Sequence, residues 1–416
     1  MKIHFDRILH SNLIGNIFNQ FVLYGFGHLI PLILIPFLLN RVGIENYGLI
    51  NFILAFSFYF QVINEYGFDL SNVNHVVEHR DDRTSLTKIF SSIIYCKGLL
   101  CITTCIVYFA IVCIVDNFRI NIWFYTLGYI RLIGIAIAPY WLFRSMEEIK
   151  YITRIVIPIK TICTLPVFFL VKTENDVLWV MVCYAAIEVV SGIVSIIIAL
   201  KHYSLKLCKV SWHEIKYYFK DSTPFFLSTA LMRIYKNSNT VVLRIFCGDY
   251  AVGLYSAAEK LHNAYSSFVA PIINQIFYPY FIRIKNWTKI NKLVILISVF
   301  NILILGLLYI LSPYVVPFFI KNGGAEITQY FNLFLALLSI SIITDLLGFP
   351  YLGILSSAKT VTKTTVWGTA SYLIIIFVLI LCNRVTITSL ILSLMLSTVV
   401  CLASRIYYIR SLTKLK

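Results

Sequence analysis

The chain has 416 residues, of which 59% are hydrophobic and only 13% are charged, and its mean hydropathy is +0.83. An average soluble domain is roughly 45–50% apolar and about 25% charged, so a soluble fold could not bury this much apolar surface. The formal net charge of +16 would indicate a nucleic-acid partner in a soluble protein. Here the distribution of charge along the chain excludes that interpretation.

Apolar runs of about 17–25 residues recur along the chain, and a helix of that length crosses a hydrocarbon core of about 30 Å. Transmembrane strands would be about ten residues long and would alternate apolar with polar residues, whereas Leu293 to Leu311 is apolar on every face. The sequence therefore predicts an all-α polytopic membrane protein of about 12 transmembrane helices. The predicted spans are approximately 13–39, 47–70, 87–115, 121–143, 155–171, 177–200, 224–246, 252–280, 291–311, 326–349, 363–382 and 386–409.

The loops on one side of the predicted membrane carry most of the Lys and Arg residues. If the N-terminus is inside, the loops place about 23 Lys and Arg in the cytoplasm and about 6 outside, with about 6 within the spans. Cytoplasmic loops carry such an excess, so both termini are predicted to be cytoplasmic.

The longest predicted cytoplasmic segment, Lys201 to Lys220, interleaves basic residues with Trp212, Tyr217 and Tyr218. That composition is typical of an amphipathic segment at a membrane surface and not of a nucleic-acid patch. Because this segment lies near the middle of the chain, it is predicted to join two six-helix lobes. The predicted division is an N-terminal lobe at 1–200, a cytoplasmic linker at 201–223 and a C-terminal lobe at 224–416.

An internal repeat with an offset of about 205 residues supports this division. A turn at Gly43 follows the first span and the next span begins near Gly48, while a turn at Gly248 follows the seventh span and the next begins near Gly253. In both copies an acidic residue follows the first glycine within two positions. Six helices separate the copies, which predicts parallel halves related by a twofold axis along the membrane normal. Ordinary glycine-containing hairpin turns are the alternative explanation.

Several ionisable residues fall within the predicted spans, where they usually face a bundle interior or a wet cavity. Arg131 in span 4 and Arg233 and Lys236 in span 7 are the predicted cavity cations. A guanidinium binds phosphate through two parallel hydrogen bonds, and Lys adds a point charge. Lys97 and Lys160 either join this cavity or reach towards an interface or an acid. Basic groups outnumber acidic ones at this depth, which predicts an anion-binding cavity.

The acids within the spans are candidates for ion coupling. Asp345, Glu188 and Glu259 could each take up a proton or a sodium ion, and Asp345 could equally pair with a cavity cation. Glu259 is adjacent to Lys260, and one of the two is predicted to be an internal partner or a coupling group. No other cofactor is expected.

Enzymatic signatures are weak in this sequence. It contains no nucleotide-binding loop and no Gly-x-Ser-x-Gly elbow, so transport would be secondary and not driven by ATP within the chain. The stretch from His75 to His79 matches a zinc-protease pattern, but it lies in a short loop beside a charged turn, and no metal site is predicted. A membrane polysaccharide polymerase or ligase is the alternative, but the longest outer loop, Ser312 to Ala325, has only about fourteen residues. The chain is predicted to be a transporter and not an enzyme.

Four motifs spread along the chain resemble those of a known family. They are Pro31-Leu-Ile-Leu-Ile-Pro36-Phe-Leu-Leu-Asn-Arg-Val-Gly43-Ile-Glu-Asn-Tyr47-Gly48, Glu65-Tyr-Gly67-Phe-Asp69-Leu-Ser71, Pro139-Tyr-Trp141-Leu-Phe-Arg144 and Gly253-Leu-Tyr-Ser256-Ala-Ala-Glu259-Lys260. Together they are similar to motifs of the Wzx O-antigen flippases of the polysaccharide transport family, and the first motif is the most specific.

The resemblance implies a fold of the multidrug/oligosaccharidyl-lipid/polysaccharide exporter type, with two six-helix lobes around a central cavity. It implies a flippase that moves undecaprenyl-diphosphate-linked O-antigen units from the cytoplasmic to the periplasmic leaflet of the bacterial inner membrane by alternating access. The family's cationic cavity is carried over to Arg131, Arg233 and Lys236, and more weakly to Lys160 and Lys260.

The expected partners are this lipid-linked oligosaccharide, membrane lipid and other O-antigen assembly proteins, with no nucleic acid. A cation-coupled multidrug antiporter of the related branch is the alternative within transport. In such an antiporter acids would dominate the cavity, because its substrates are mostly cations.

Overall fold

The computed structural model describes residues 2–284 and 286–414, and within these ranges the side chains of 26 helical residues, those at 2–14 and Lys236 among them, are outside the description. Every regular element in these ranges is helical, and no strand occurs in them. The all-α fold predicted from the sequence is therefore confirmed.

Fourteen α-helices follow one another in the described ranges. They are α1 (Lys2–Glu65), α2 (Phe68–Glu78), α3 (Arg83–Ile114), α4 (Asp116–Ile120), α5 (Ile122–Ile137), α6 (Tyr140–Ser145), α7 (Ile149–Leu170), α8 (Val177–His202), α9 (Trp212–Pro271), α10 (Tyr278–Ile284), α11 (Trp287–Phe319), α12 (Gly324–Leu346), α13 (Ala358–Leu381) and α14 (Ile387–Lys414). A 3-10 turn at Glu174–Asp176 precedes α8, and π-helical turns follow α9 and α12 at Ile272–Phe277 and Leu347–Gly353.

Ten helical segments in the described ranges are long and apolar enough to cross a membrane. Two of them, Gly25–Glu78 with 54 residues and Asn237–Ile284 with 48, are more than twice as long as the roughly 20 residues that one crossing needs. Each contains a glycine with a non-helical backbone, Gly43 in α1 and Gly248 in α9. Because each long segment bends at its glycine and provides two crossings, the ten segments correspond to the twelve predicted spans.

The two bends have the same backbone conformation. Gly43 has φ 81° and ψ 169°, and Gly248 has φ 81° and ψ −177°. A positive φ costs glycine little and strains residues with a Cβ, so both turns depend on glycine. The two turns of the predicted repeat therefore share one backbone conformation, and the repeat of the two halves stays a prediction.

The chain forms two compact units. The first comprises Met1–Phe26 and Leu49–Val241, and the second comprises Gly27–Gly48 and Val242–Lys416. The predicted linker at 201–223 lies within the first unit, and residues 27–48 of the predicted N-terminal lobe belong to the second. The lobes and linker as drawn from the sequence remain a prediction.

Within the second unit the two glycine hairpins contact each other reciprocally. A Cβ added to Gly48 would overlap the carbonyl oxygen of Asp249, and one added to Gly253 would overlap the carbonyl oxygen of Ile44. Ile44 and Asp249 each follow the bend glycine of their own copy, so the contact has the symmetry of a local twofold. Small residues permit such close backbone approach between membrane helices.

An apolar cluster forms the core of the first unit. Phe68, Phe90 and Trp141 are buried in it, and Ile215 near the start of α9 packs against the same cluster. The exposed side of this stretch of α9 includes Trp212, which is 69% exposed. The predicted amphipathic segment therefore uses its apolar side for packing within the unit and leaves aromatic and basic side chains outside.

Several α-helices in the described ranges begin with a side-chain cap. Asp82 accepts hydrogen bonds from the backbone of α3, Asn286 from that of α11 and Ser357 from that of α13. Such caps satisfy amide groups that have no partner within the helix. The hydrogen bonds to the Asp82 carboxylate hold its pKa well below its usual range.

Candidate functional site

The predicted site residues divide between the two compact units. The first unit contains Arg131, Lys160, Glu188, Arg233 and Lys236, and the second contains Glu259, Lys260 and Asp345. The side chain of Lys236 lies outside the described part of the chain, so its predicted role beside Arg233 stays a prediction.

A close crossing of α5 and α8 brings Arg131 and Glu188 together. A Cβ on Gly134 would overlap the backbone of Glu188, and one on Gly192 would overlap the carbonyl oxygen of Gly134. Arg131 and Glu188 each lie about one helical turn before these glycines, so their side chains emerge at the crossing. Their Nη2 and Oε1 atoms are 3.7 Å apart. This exceeds the about 2.7–3.2 Å of a hydrogen bond, so the attraction is electrostatic and the guanidinium N–H groups can still reach an anion.

A second ion pair joins Arg233 of α9 to Glu65 at the end of α1. Gln61 donates a hydrogen bond of 2.7 Å to the other carboxylate oxygen of Glu65. The side chain of Arg233 is 42% exposed and that of Glu65 is 16% exposed. The acid is therefore held by two donors, while the guanidinium keeps a free side for a further acceptor.

Lys160 lies in α7, which continues through Pro158 and Pro166, and is partly buried. Lys97 in α3 is 4% exposed, and no acid forms an ion pair with it in the described part of the chain. The cationic side chains within the spans of the first unit thus include two arginine–carboxylate pairs and a buried lysine.

In the second unit, the adjacent residues Glu259 and Lys260 have different partners. Tyr255 donates a hydrogen bond of 3.1 Å to Glu259 Oε1, whereas Lys260 Nζ donates one of 3.1 Å to the hydroxyl of Tyr47. Lys260 Nζ also lies 5.0 Å from the centre of the Tyr47 ring, within range of a cation–π interaction. Asp345 is exposed in the last turn of α12.

Two of the family motifs contact each other in the first unit. Tyr66 and Gly67 have a left-handed backbone conformation, which interrupts the helix between α1 and α2, and Asp69 follows them in the first turn of α2. Its Oδ2 atom accepts a hydrogen bond of 2.9 Å from Nη1 of Arg144, which belongs to the motif beginning at Pro139. The structure thus gives Asp69 a defined partner, 75 residues away.

The start of α9 lies against α2. Two side-chain pairs join them, Ser71–Ser222 at 2.6 Å and His75–Asp221 at 3.2 Å, and Tyr66 just before α2 pairs with Thr223 at 3.3 Å. A Cβ on Gly67 would lie 2.7 Å from the backbone nitrogen of Phe226, so this glycine is required for the close approach.

The zinc-protease-like stretch from His75 to His79 therefore uses His75 to bind Asp221. Among the described residues no group of three His, Cys, Asp or Glu could hold a metal ion.

Sequence reasoning missed Arg405 of α14, which is only 6% exposed. Its Nε donates to Thr364 at 3.2 Å, its Nη2 donates to Thr365 at 3.3 Å, and its Nη1 donates to the carbonyl oxygen of Thr344. Its guanidinium also covers Gly348, where a Cβ would lie 2.6 Å from Nη1. Arg405 thus links α12, α13 and α14. A single arginine inside an apolar span was the available signal.

Replacing Arg405 with methionine is expected to destabilise the second unit by about 2–4 kcal/mol, because three acceptors lose a charged donor. Thermal unfolding of the purified protein in detergent measures the loss. Arg410→Met is the matched control, since Arg410 lies on the same helix but is exposed. Equal melting temperatures for the two variants would show that Arg405 does not hold these helices together.

With this geometry established, comparison with known proteins identifies the family. The family described as Polysaccharide biosynthesis protein matches residues 13–285 of the chain. The chain belongs to this family. Two relatives, of Escherichia coli (strain K12) and Shigella dysenteriae, each carry the name "Putative O-antigen transporter".

These two relatives have the same identity to this chain but align over different lengths of it. The Escherichia coli protein is 27% identical over 67% of this chain and 66% of its own length, just under two thirds of that relative. The Shigella dysenteriae protein is 27% identical over 80% of this chain and 84% of its own length. The resemblance to Wzx-type flippases inferred from the motifs is confirmed by the family match and these relatives.

Two solved structures share the fold of this family member. The lipid II flippase MurJ in an inward closed conformation has a TM-score of 0.67 at 14% identity, over 98% of this chain and 87% of MurJ. An inward-facing multidrug resistance MATE family transporter of the MOP superfamily has a TM-score of 0.61 at 11% identity, over 93% of this chain and 98% of its own. At such identities the likeness shows the fold alone, and it confirms the predicted exporter-type architecture.

Proposed function

We propose that this family member is a flippase for undecaprenyl-diphosphate-linked O-antigen repeat units, which it moves from the cytoplasmic to the periplasmic leaflet of the bacterial inner membrane. The observation that carries the proposal is the pair of incompletely buried guanidinium groups, Arg131 and Arg233, in helices predicted to lie within the membrane. Each is held beside a carboxylate without being enclosed by it. Two such groups suit a diphosphate, because each can bind phosphate oxygens through a bidentate fork.

The carboxylates have a role in this mechanism. An arginine without a partner at membrane depth is costly, so Glu188 and Glu65 stabilise the substrate-free state. An incoming diphosphate competes with them for the guanidinium N–H groups. When the headgroup leaves, each arginine returns to its carboxylate, which limits the affinity for the substrate and permits release.

Alternating access would carry the headgroup across while the polyprenyl chain stays in lipid. Uptake of a proton or a sodium ion at Asp345, Glu188 or Glu259 would couple transport to an ion gradient. Glu188 is the best placed of the three, because neutralising it removes the charge that holds Arg131. Other O-antigen assembly proteins would supply the lipid-linked unit and receive it.

Two other functions are distinguishable from this one. The fold also suits a multidrug antiporter, but arginines presented to a cavity would repel cationic drugs. A polysaccharide polymerase or ligase would act on units that had already reached the periplasm.

Deletion of the gene tests the proposal directly. It is expected to leave undecaprenyl-linked repeat units at the cytoplasmic face, with no O-antigen at the surface, and a plasmid copy is expected to restore display. Mass spectrometry of extracted lipids, with and without access of a glycosidase to the periplasmic face, locates the units. Single repeat units capping the lipid core of lipopolysaccharide would contradict the proposal and indicate a polymerase.

A further inference from the structure

An apolar groove lies within the second unit, between the stretch of α1 before Gly43, the last part of α9 and the end of α11. Its volume is about 520 Å³, within the roughly 300–1,000 Å³ of small-molecule sites. Its floor is buried, and its rim is exposed. The floor includes Ile35, Val316 and Ile320, and the rim includes Ile33, Val315 and Phe319.

The chemistry of the lining restricts the occupant of this groove. All ten lining residues are Leu, Ile, Val, Phe or Pro, so a water molecule would find no side-chain hydrogen-bond partner there. An empty groove of this size would forfeit dispersion contacts along its walls. Because the lining helices belong to membrane spans, a hydrocarbon chain is the occupant that fits.

Two cations stand at one end of the groove. Ile33, Phe37 and Arg41 follow one another at intervals of four residues and share a face of α1. Lys321 follows directly after Ile320 at the end of α11. Both cations are exposed, and neither forms an ion pair in the described part of the chain.

Asn40 joins the two chain segments that carry Arg41 and Lys321. Its Nδ2 donates a hydrogen bond of 2.8 Å to the carbonyl oxygen of Phe319, and its Oδ1 accepts one of 2.8 Å from the backbone nitrogen of Lys321. This amide clamp fixes the end of α11 beside the end of the stretch of α1 before Gly43. Arg41 and Lys321 are thereby placed at the same end of the groove, which faces the periplasm in the orientation predicted from the Lys and Arg distribution.

We propose that this groove, with Arg41 and Lys321 at its mouth, binds the isoprenoid chain of a polyprenyl phosphate in the outer leaflet. This inference rests on the proposed function, which supplies a lipid with a long hydrocarbon chain and a phosphate headgroup. The phosphate headgroup lies at the two cations, and the first part of the hydrocarbon chain fills the groove. The site would hold the translocated lipid after its headgroup has crossed, before it leaves for the bilayer.

Native mass spectrometry of the purified protein with undecaprenyl phosphate tests this site. Val316→Phe fills the groove from its floor, and the double change Arg41→Gln with Lys321→Gln removes the mouth charges. Each is expected to weaken binding at least tenfold. The control is Lys289→Gln with Lys292→Gln, which removes two exposed charges from the other end of α11 and is expected to leave binding unchanged. If Val316→Phe fails to fold, the double variant Arg41→Gln with Lys321→Gln alone tests whether the groove binds the lipid.

Three results would overturn the proposal. They are unchanged binding to either groove variant, equal loss in the control, and phosphatidylglycerol binding at the same site as tightly as undecaprenyl phosphate. The last would identify an ordinary phospholipid site. The proposed function fails separately: wild-type protein that binds undecaprenyl phosphate in the groove but moves no lipid-linked unit in vesicles would refute flipping and leave the groove assigned.

Discussion

Replacing Arg131 and Arg233 together with alanine is expected to lower surface O-antigen by about a hundredfold or more, while the protein still inserts in the membrane. A hydrogen bond to a charged group contributes about 1.5–3 kcal/mol, and each 1.4 kcal/mol corresponds to about tenfold. Losing both guanidinium contacts with a diphosphate therefore suffices for this reduction. Complementation of a deletion strain, with lipopolysaccharide analysed by gel and protein by immunoblot, measures the effect.

The ion pairs make a sharper control possible. Arg233→Ala leaves Glu65 as an acid without its ionic partner, so its effect combines lost binding with lost stability. The paired change Arg233→Gln with Glu65→Gln leaves no stranded charge and is expected to abolish display nevertheless. Glu65→Gln alone keeps the arginine and is expected to retain display. If the paired variant displays O-antigen normally, Arg233 serves only to neutralise Glu65.

The same design applies to Arg131 and Glu188, with one difference. If Glu188 is a coupling acid, Glu188→Gln retains substrate binding but loses dependence on the ion gradient. Transport by that variant would become insensitive to a protonophore or to removal of sodium. Retained sensitivity would assign Glu188 a structural role only.

Alanine at Gly48 or at Gly253 is expected to destabilise the second unit by about 3 kcal/mol or more, the upper end of the usual cost of overpacking. The added Cβ would meet the backbone carbonyl of Asp249 or of Ile44, and a backbone atom cannot rotate away as a side chain does. Thermal unfolding of the purified variants in detergent measures the loss. Gly306→Ala is the control, because a Cβ there meets nothing within 4 Å.

The reciprocal geometry makes a further distinction possible. Gly48→Ala and Gly253→Ala force apart the same two hairpins, so separating them once accommodates both changes. The double variant is therefore expected to lose clearly less stability than the sum of the single losses. Strict additivity would show that the two glycines act at independent sites and that the hairpins do not form one interface.

Much of the fold could be predicted because bilayer thickness and apolar composition limit the possibilities. Apolar runs of about 20 residues cross a bilayer as helices. Gly43 and Gly248 were noticed because they follow the first and the seventh span in the same sequence pattern. At each glycine, however, two helical spans meet at a non-helical bend, so span counting alone did not show the geometry of the turns.

The partners of the charged residues could not be predicted to the same degree. Arg233 pairs with Glu65, 168 positions earlier in the chain, and no periodicity in the sequence relates them. Asp69 and Arg144 were both visible within family motifs, but only packing of α2 against α6 joins them. Arg405 was overlooked because a lone arginine near the end of a span resembles one that reaches the membrane surface.

The most direct test of the central claim is a flipping assay with purified protein in proteoliposomes. Undecaprenyl-diphosphate-linked oligosaccharide is placed in the outer leaflet, and its protection from an added glycosidase is followed over time. Wild-type protein is expected to protect the substrate faster than vesicles without protein, and the paired Arg233→Gln, Glu65→Gln variant is expected not to. Equal rates in empty vesicles, wild-type vesicles and variant vesicles would contradict a flippase function.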